Sequence, residues 1–363
     1  VELMKALVRG VKLLILDEPT AVLTPQETEE LFAQLRILRD QGISIIFITH
    51  KLQEIMQICD RITILRHGQC IGTKEIQGLN PAAISRMMVG REVVLKFEKG
   101  LIERGGVVAD IQNLVYVDDE GRKLIDNLSL QLYAGEILGV AGVEGNGQSE
   151  LAEIIGGMLP VLSGSVKING TEIKGKKIRE IRKLGVANIT EDRMRDGCSP
   201  DLSIKENIML TKLNDRRFKM GPFINHKKVN KFVDECIKEF EIACSGSDSP
   251  VRMLSGGNIQ KVIVAREFTG NANLILANQP TRGIDVGTSE MIRNTLIRKT
   301  RNGGVATLLI SSDLNEVIEV SDRLIVMRKG KIVAVFPDAS KVNEELLGEY
   351  MLGIRTMERE NVE

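Results

Sequence analysis

Residues 142–151, GVEGNGQSEL, are one residue away from a phosphate-binding loop. The pattern G-x-x-x-x-G-K-[ST] asks for two glycines, then a lysine, then a hydroxyl. Gly142, Gly147 and Ser149 are in place, and Gln148 stands where the lysine belongs. Such a loop works because backbone N–H groups at a helix N-terminus point at the anion and glycines let the backbone come close. Gly142, Gly145 and Gly147 keep that geometry, with Asn146 set between them, and the Ser149 hydroxyl can still be a Mg²⁺ ligand. Gln148 can donate hydrogen bonds but carries no charge. Weakened nucleotide binding and poor stabilisation of a charged transition state are therefore expected here. Taken alone, the stretch equally fits a glycine-rich strand-to-helix turn with no ligand.

The elements that must hold this loop are legible around it. EILGVAG (136–142) is a short apolar run ending in glycine, and SELAEIIGGML after the loop is amphipathic, so the order is strand, tight loop, helix. Further apolar runs bounded by turn residues stand at 273–278, 305–311 and 323–328. Continuous apolar strands alternating with helices imply a mostly parallel sheet covered on both faces, an α/β fold. Val229, Phe232, Val233, Cys236, Ile237 and Phe240 fall on one helical stripe. That stripe reads as a packing face, and residues 200–253 as a helical insert in the α/β core.

The chain also repeats itself. LLILDEPTAVLTP (13–25) aligns with LILANQPTRGIDV (274–286) at an offset of 261, placing Asp17 on Asn278 and Glu18 on Gln279. FITHKLQEIMQICDRITILRHGQ (47–69) aligns with LISSDLNEVIEVSDRLIVMRKGK (309–331) at 262, and MMVG (87–90) with YMLG (350–353) at 263. A drift of two residues means small loop insertions in a duplication. Residues from about 106 to Lys261 have no partner in the first copy, so that copy is expected to be partial, with its front end missing. Residues 91–105 read as a linker.

Composition sets bounds. At 363 residues with 43% hydrophobic and 27% charged side chains, the chain can bury two or three ordinary cores. Forty-nine basic residues balance 49 acidic ones, which gives no global pull toward nucleic acid or acidic lipid. The basic run KGKKIREIRK (174–183) reads as a solvated helix face. Five cysteines with no C-x-x-C spacing argue against a zinc site or a disulfide framework and for a reducing compartment. No apolar run reaches the ~18 residues of a membrane span.

LSGGNIQKVIVARE (254–267) lies just ahead of the strand at 273–278. LSGGN resembles the signature loop of ATP-binding-cassette (ABC) proteins, and LLILDEPT (13–20) resembles their Walker B strand. Signature, helix, Walker B strand and switch strand follow in the family's order. Together with GVEGNGQSEL and QPTRGIDVGT they are similar to the tandem ATP-binding subunits of importers for simple sugars and nucleosides, and GNGQ and NQPTRG lean toward nucleosides.

The resemblance implies roles. In the first copy Asp17 would be linked to Mg²⁺, Glu18 would polarise the attacking water, and His50 would sense the γ-phosphate. In the second copy Asn278, Gln279 and Ser312 stand at those places, and Glu191 at the position usually held by the glutamine-loop Gln. The second copy is therefore expected not to turn over ATP in its own pocket. Its signature, Ser255, Gly256, Gly257 and Asn258, is intact and would serve the nucleotide of the other cassette. Thr24 departs from the family's aspartate after Walker B, which Asp285 keeps. Tyr116 is the nearest candidate for stacking on adenine.

The expected protein is thus an α/β P-loop NTPase of the ABC type. Residues 1–90 would be the C-terminal half of one cassette, and residues 106–363 a second, degenerate cassette. ATP and Mg²⁺ are the implied cofactors. Ser149 and Asp17 would attend the metal, and the loop residues 142 and 145–149 and the signature residues 255–258 the nucleotide. Transmembrane permease subunits at the cytoplasmic face of the membrane, and through them an extracytoplasmic binding protein, are the implied partners; nucleic acid is not. The chain alone, without a lysine-bearing loop, is expected to be inactive. Two other readings stay open: a non-transport tandem ABC protein resembling a ribosome-associated translation factor, and a nucleotide-binding module without catalysis.

Overall fold

The apolar runs become strands, and their neighbours are set by register. In a computed structural model, described at residues 11–20, 23–49, 51–66, 68–90 and 104–357, the chain divides into two compact units, one of residues 1–96 with Asp285–Glu290 and one of the remainder, and each is taken by itself.

The first unit holds β1 (Leu13–Asp17), α1 (Pro25–Asp40), β2 (Ser44–Ile48), α2 (Leu52–Ile58), β3 (Arg61–Arg66), β4 (Gln69–Glu75) and α3 (Pro81–Val89). β1 pairs with β2 in parallel, and β3 with β4 antiparallel. Among the described residues these are two separate two-stranded sheets.

The second unit opens with β5 (Val107–Val117) and β6 (Lys123–Tyr133), followed by β7 (Ile137–Ala141), α4 (Gln148–Gly156), β8 (Ser163–Ile168), β9 (Thr171–Glu172), α5 (Ile178–Lys183) and β10 (Val186–Ile189). It continues with α6 (Ile204–Met209), the short hairpin β11 (Lys219–Met220) and β12 (Phe223–Ile224), α7 (His226–Glu239) and α8 (Gly256–Phe268). It ends with β13 (Leu274–Asn278), α9 (Val286–Gly303), β14 (Ala306–Ile310), α10 (Leu314–Val320), β15 (Arg323–Arg328), β16 (Lys331–Phe336) and α11 (Glu344–Leu352). A six-stranded sheet runs in the order β10-β13-β14-β7-β15-β16, parallel except for β16. β7, the strand ahead of the phosphate loop, is central, paired to β14 on one side and β15 on the other.

The expectation of a mostly parallel sheet holds for this half and misses a second layer. β6-β5-β8-β9 form a separate antiparallel sheet. Its signal was present: Leu128, Leu130 and Leu132 alternate with polar residues, and all three are buried, the period of a half-buried strand. The stripe on α7 packs as read, with Val229, Val233, Cys236 and Phe240 buried and Phe232 and Ile237 partly so. The region 200–253 is not helical throughout, however. Gly221, at φ 63°, turns the chain ahead of Pro222 and makes the β11–β12 hairpin.

Two apolar layers flank the six-stranded sheet. One lies between the sheet and the antiparallel layer with α4; it contains Leu274, Leu276, Leu308, Ile310 and Met327. The other contains Ile275, Ala277 and Leu309 with α7 and α8. Alternate residues of one strand thus enter opposite cores, as a pleat requires.

The seven elements of the first unit follow the same order as β13 to α11 of the second. Leu13 pairs with Ser44 as Leu274 pairs with Ala306. The β3–β4 ladder carries its bulge between Ile64 and Leu65, and the β15–β16 ladder between Val326 and Met327, 262 residues on. α3 and α11 both end on a left-handed glycine, Gly90 and Gly353.

Candidate functional site

The phosphate-loop stretch closes on itself at the end of β7. Gly147 caps α4 with φ 102°, a region L side chains rarely enter, and a Cβ there would sit 2.2 Å from the Leu124 carbonyl oxygen. A Cβ on Gly142 would meet the Gln148 amide at 2.2 Å. Gln148 is buried, and its Nε2 donates to the Val143 carbonyl (3.1 Å) inside the loop. Asn146 Nδ2 donates to the same carbonyl at 2.8 Å, and Asn146 Oδ1 accepts from the Lys329 amide at 2.6 Å. Both side chains are spent on the shape of the loop.

Three elements converge on Ser149. Its hydroxyl donates to Glu191 Oε2 (2.8 Å), beyond the end of β10, and accepts from Asn278 Nδ2 (3.1 Å), the last residue of β13. Glu191 Oε1 accepts from Arg282 Nη1 at 2.5 Å, and the Arg282 guanidinium also faces Glu144 of the loop at 3.6 Å. Asn278, Glu191, Glu153, Asn188 and Thr190 line a cavity of about 210 Å³. Glu153 titrates above the ordinary carboxylate range because it is half buried, with Glu150, Asp196 and Glu191 adding negative charge nearby. Tyr116 is partly buried against the core behind this loop. Its phenol is pushed up by burial first and then by Asp119 and Glu153.

The residue after β13, Gln279, has φ 51°. Its Oε1 accepts from the backbone amide of Ser312 (3.0 Å) and from the Ser312 hydroxyl (3.1 Å). Two positions expected to hold a carboxylate and an imidazole are thus a neutral amide and a hydroxyl bonded to each other. Behind them Thr281 donates to the buried Glu316 (2.7 Å), which Arg293 also grips (3.0 Å).

The signature residues sit elsewhere in this unit. Ser255 is the exposed N-cap of α8. Its Oγ accepts from Asn258 Nδ2 (2.9 Å), and Asn258 Oδ1 accepts from the Ala243 amide (2.8 Å). Gly256 O accepts from Arg193 Nη1 at 3.1 Å, and Arg193 Nη2 reaches the Arg282 carbonyl. Burial, and then the Arg282 charge, lower the pKa of Arg193. Arg193 and Arg282 were given no role from sequence. Arg193 links the segment after β10 to the helix of the signature, and nothing in its spacing announces that.

The first unit reproduces the strand-end geometry with charged groups. Asp17 ends β1 exposed, and Glu18 follows at φ 44°. The Glu18 amide donates to Ile48 O (2.9 Å) as the Gln279 amide does to Ile310 O (2.8 Å). Thr20 Oγ1 donates to Glu54 (2.5 Å), the counterpart of the Thr281–Glu316 pair. Thr24 caps α1 in a reciprocal box with Glu27, and Asp285 bonds Thr288 at the head of α9, so the Thr-for-Asp exchange preserves a helix cap. His50 lies outside the described residues.

A family model for ABC transporters matches residues 125–282. A glucose import ATP-binding protein of Haloferax volcanii is 41% identical over 92% of this chain and 61% of its own length. A nucleoside import ATP-binding protein of Lactococcus lactis subsp. cremoris is 40% identical over 97% of this chain and 69% of its own length. A guanosine import ATP-binding protein of Bacillus subtilis is likewise 40% identical, over 97% of this chain and 69% of its own length. The chain therefore spans between about three-fifths and seven-tenths of these relatives. An ATP-binding cassette solved as a dimer in a post-hydrolysis state with ADP and Pi superposes with a TM-score of 0.56 at 24% identity, over 62% of this chain and 97% of that one. A nucleotide-free cassette gives 0.54 at 23% identity, over 71% and 98%. These two speak for the fold.

Proposed function

Because the chain belongs to the ABC transporter family, among the ATP-binding subunits of sugar and nucleoside importers, we propose that it is the energy-coupling subunit of such an importer and that its two halves play unequal parts. Asp17 and Glu18, with His50, serve hydrolysis. The loop around Ser149 holds a nucleotide without cleaving it. The backbone donors at Ser255–Asn258 meet the phosphates of a nucleotide held by another phosphate loop. Permease subunits at the cytoplasmic face of a membrane, and an extracytoplasmic binding protein beyond them, are the partners. Among the described residues no helix is long and apolar enough to cross a membrane. The names of the relatives support nucleosides or simple sugars as cargo.

One observation carries the unequal reading. Two strand ends share the same left-handed turn, φ 44° and 51°, yet one bears Glu18 and the other Gln279. A carboxylate can take a proton from, or orient, an attacking water. The Gln279 amide has no such basicity, and its oxygen is already committed to Ser312.

The first unit further supports a partial cassette. Ile46 and Ile48 are each 47% exposed, whereas their counterparts Leu308 and Ile310 are at 0% and 3%. The exposed face is the one that residues 107–168 cover in the second unit. Among the described residues β2 and β3 each lack a partner on the side where β14 and β15 grip β7. Asp60 and Arg61, exposed here, match Asp322 and Arg323, which hold the start of β7 through Ile137 N (2.8 Å) and Glu136 (3.0 Å). The first unit thus has a seat for a strand and phosphate loop that residues 11–90 do not supply. The purified chain is accordingly expected to bind labelled ATP and release it intact. Sustained turnover that disappears in Glu18→Gln would show that the first unit is already complete.

A further inference from the structure

The β11–β12 hairpin carries large apolar side chains into water. Gly221 and Pro222 join its strands, which pair Met220 with Phe223 and Lys219 with Ile224. Residues directly opposite on an antiparallel pair share a face, so Met220 and Phe223 stand side by side. They are 63% and 70% exposed, and Ile224 is 42% exposed. Scattered exposed apolar residues are ordinary, but a cluster of them marks a contact surface. The base of the hairpin is fixed. Phe218 is buried with its ring centroid 5.0 Å from that of Phe232, and its carbonyl accepts from the Asn225 amide at 2.8 Å. The tip is therefore held out into solvent by packing beneath it.

Charge gathers around the same tip. Residues 213–231 carry six basic side chains, Arg216, Arg217, Lys219, Lys227, Lys228 and Lys231, against one acidic, Asp215, in a chain that is balanced as a whole. All six basic residues are exposed. Asp215 is taken up by Arg217 at 2.6 Å. Lys227 and Lys228 fall in the first turn of α7, which holds no acidic residue. Cations there oppose the helix dipole, so the helix itself gains nothing from them.

We propose that this hairpin docks directly on the anionic headgroups of a lipid bilayer. Met220, Phe223 and Ile224 enter the boundary between headgroups and acyl chains, and Lys219, Lys227 and Lys228 meet the lipid phosphates. A nucleic acid would satisfy the cations but offers no apolar medium for Met220 and Ile224. The contact goes beyond the permease partnership proposed above, because the lipid is bound with no protein between.

The sequence holds no tryptophan, so Phe223→Trp gives the whole chain a single fluorescent reporter at the tip. On vesicles of phosphatidylcholine and phosphatidylglycerol in about equal parts its emission should shift to the blue and be quenched by brominated acyl chains. Leu162→Trp, at a 51% exposed position outside the hairpin, should show neither effect. Co-sedimentation of the wild type with the same vesicles should weaken with added salt. It should fall about 100-fold when Lys219, Lys227 and Lys228 are all changed to Gln, roughly fivefold for each. Phe223→Ser should lower it about tenfold. The altered side chains are all exposed, so the fold is spared. A reporter that stays unshifted on these vesicles, or shifts as strongly on pure phosphatidylcholine, would overturn the proposal. So would vesicle binding that the Lys and Phe223 substitutions leave unchanged. If the vesicles fail and the same substitutions weaken binding to a relative's permease in detergent, the occupant is a protein and the lipid contact is refuted.

Discussion

Lys212 offers a quantitative test of the packing behind the site. It is 4% exposed, and its ammonium donates to the Arg266 carbonyl at 2.6 Å and lies 5.8 Å from the Phe232 ring centroid. Burial is the largest cause of a pKa lowered to about 8, with Glu267 opposing and the Arg266 and Arg217 charges assisting. The sign follows from proton counting. Between about pH 8 and the ordinary lysine value near 10.5 the unfolded chain binds more protons than the folded one, so stability rises with pH through that window. The two pKa values together give a gain of about 2.5 kcal/mol between pH 7 and pH 10. Lys212→Met removes the titration and loses two hydrogen bonds, to the Arg266 carbonyl and to Thr211 Oγ1 (3.3 Å), of roughly 1 kcal/mol each. At pH 7 the variant is therefore expected to be more stable than the wild type by about 1–2 kcal/mol, and at pH 10 less stable by about 1 kcal/mol. Urea melts of both proteins at several pH values, followed by circular dichroism, read the difference directly. The wild type minus the variant cancels the groups that titrate alike in both proteins. A difference that stays flat from pH 7 to pH 10, or a variant that is less stable at pH 7, would refute the reasoning that the buried charge is a net cost.

Two further substitutions probe the frame. Gly147→Ala forces a Cβ into a left-handed residue and against the Leu124 carbonyl; a loss of about 2–4 kcal/mol in denaturant melts and of nucleotide binding at the second loop is expected. Asp322→Asn removes the negative charge that Arg301 meets at 2.5 Å in a buried pair, and should cost about 3 kcal/mol. The matching change at the exposed Asp60 should cost less than about 0.5 kcal/mol by the same melts. Equal losses at the two positions would mean that Asp60 already clamps a strand.

Much of this was legible because it rests on periodicity. The strands at 137–141, 274–278 and 323–328 are continuous apolar runs, and the internal repeat alone places Asp17 over Asn278 and Glu18 over Gln279. Two kinds of feature are not. The left-handed turn at Glu18 and Gln279 leaves no trace in composition, since neither residue is glycine. The Glu191–Arg282 pair joins residues 91 apart, and only the meeting of β10 and β13 brings them together. The antiparallel layer is readable in the Leu128–Leu132 alternation, a weaker signal than the continuous apolar runs of the parallel strands. Glu191 shows how residue type alone misleads. Grouped with the other substitutions it looks like one more loss, whereas beside Ser149 and Asn278 it restores a charge.

The unequal roles of the two halves can be tested most directly by fusing the roughly 150-residue front end of a relative, with its lysine-bearing phosphate loop, to this chain and measuring steady-state ATP turnover. The fused protein should hydrolyse ATP, Glu18→Gln should abolish that activity, and Gln279→Ala should leave it largely intact. Turnover that survives Glu18→Gln and is lost on changing Gln279 would place the working carboxylate in the wrong half.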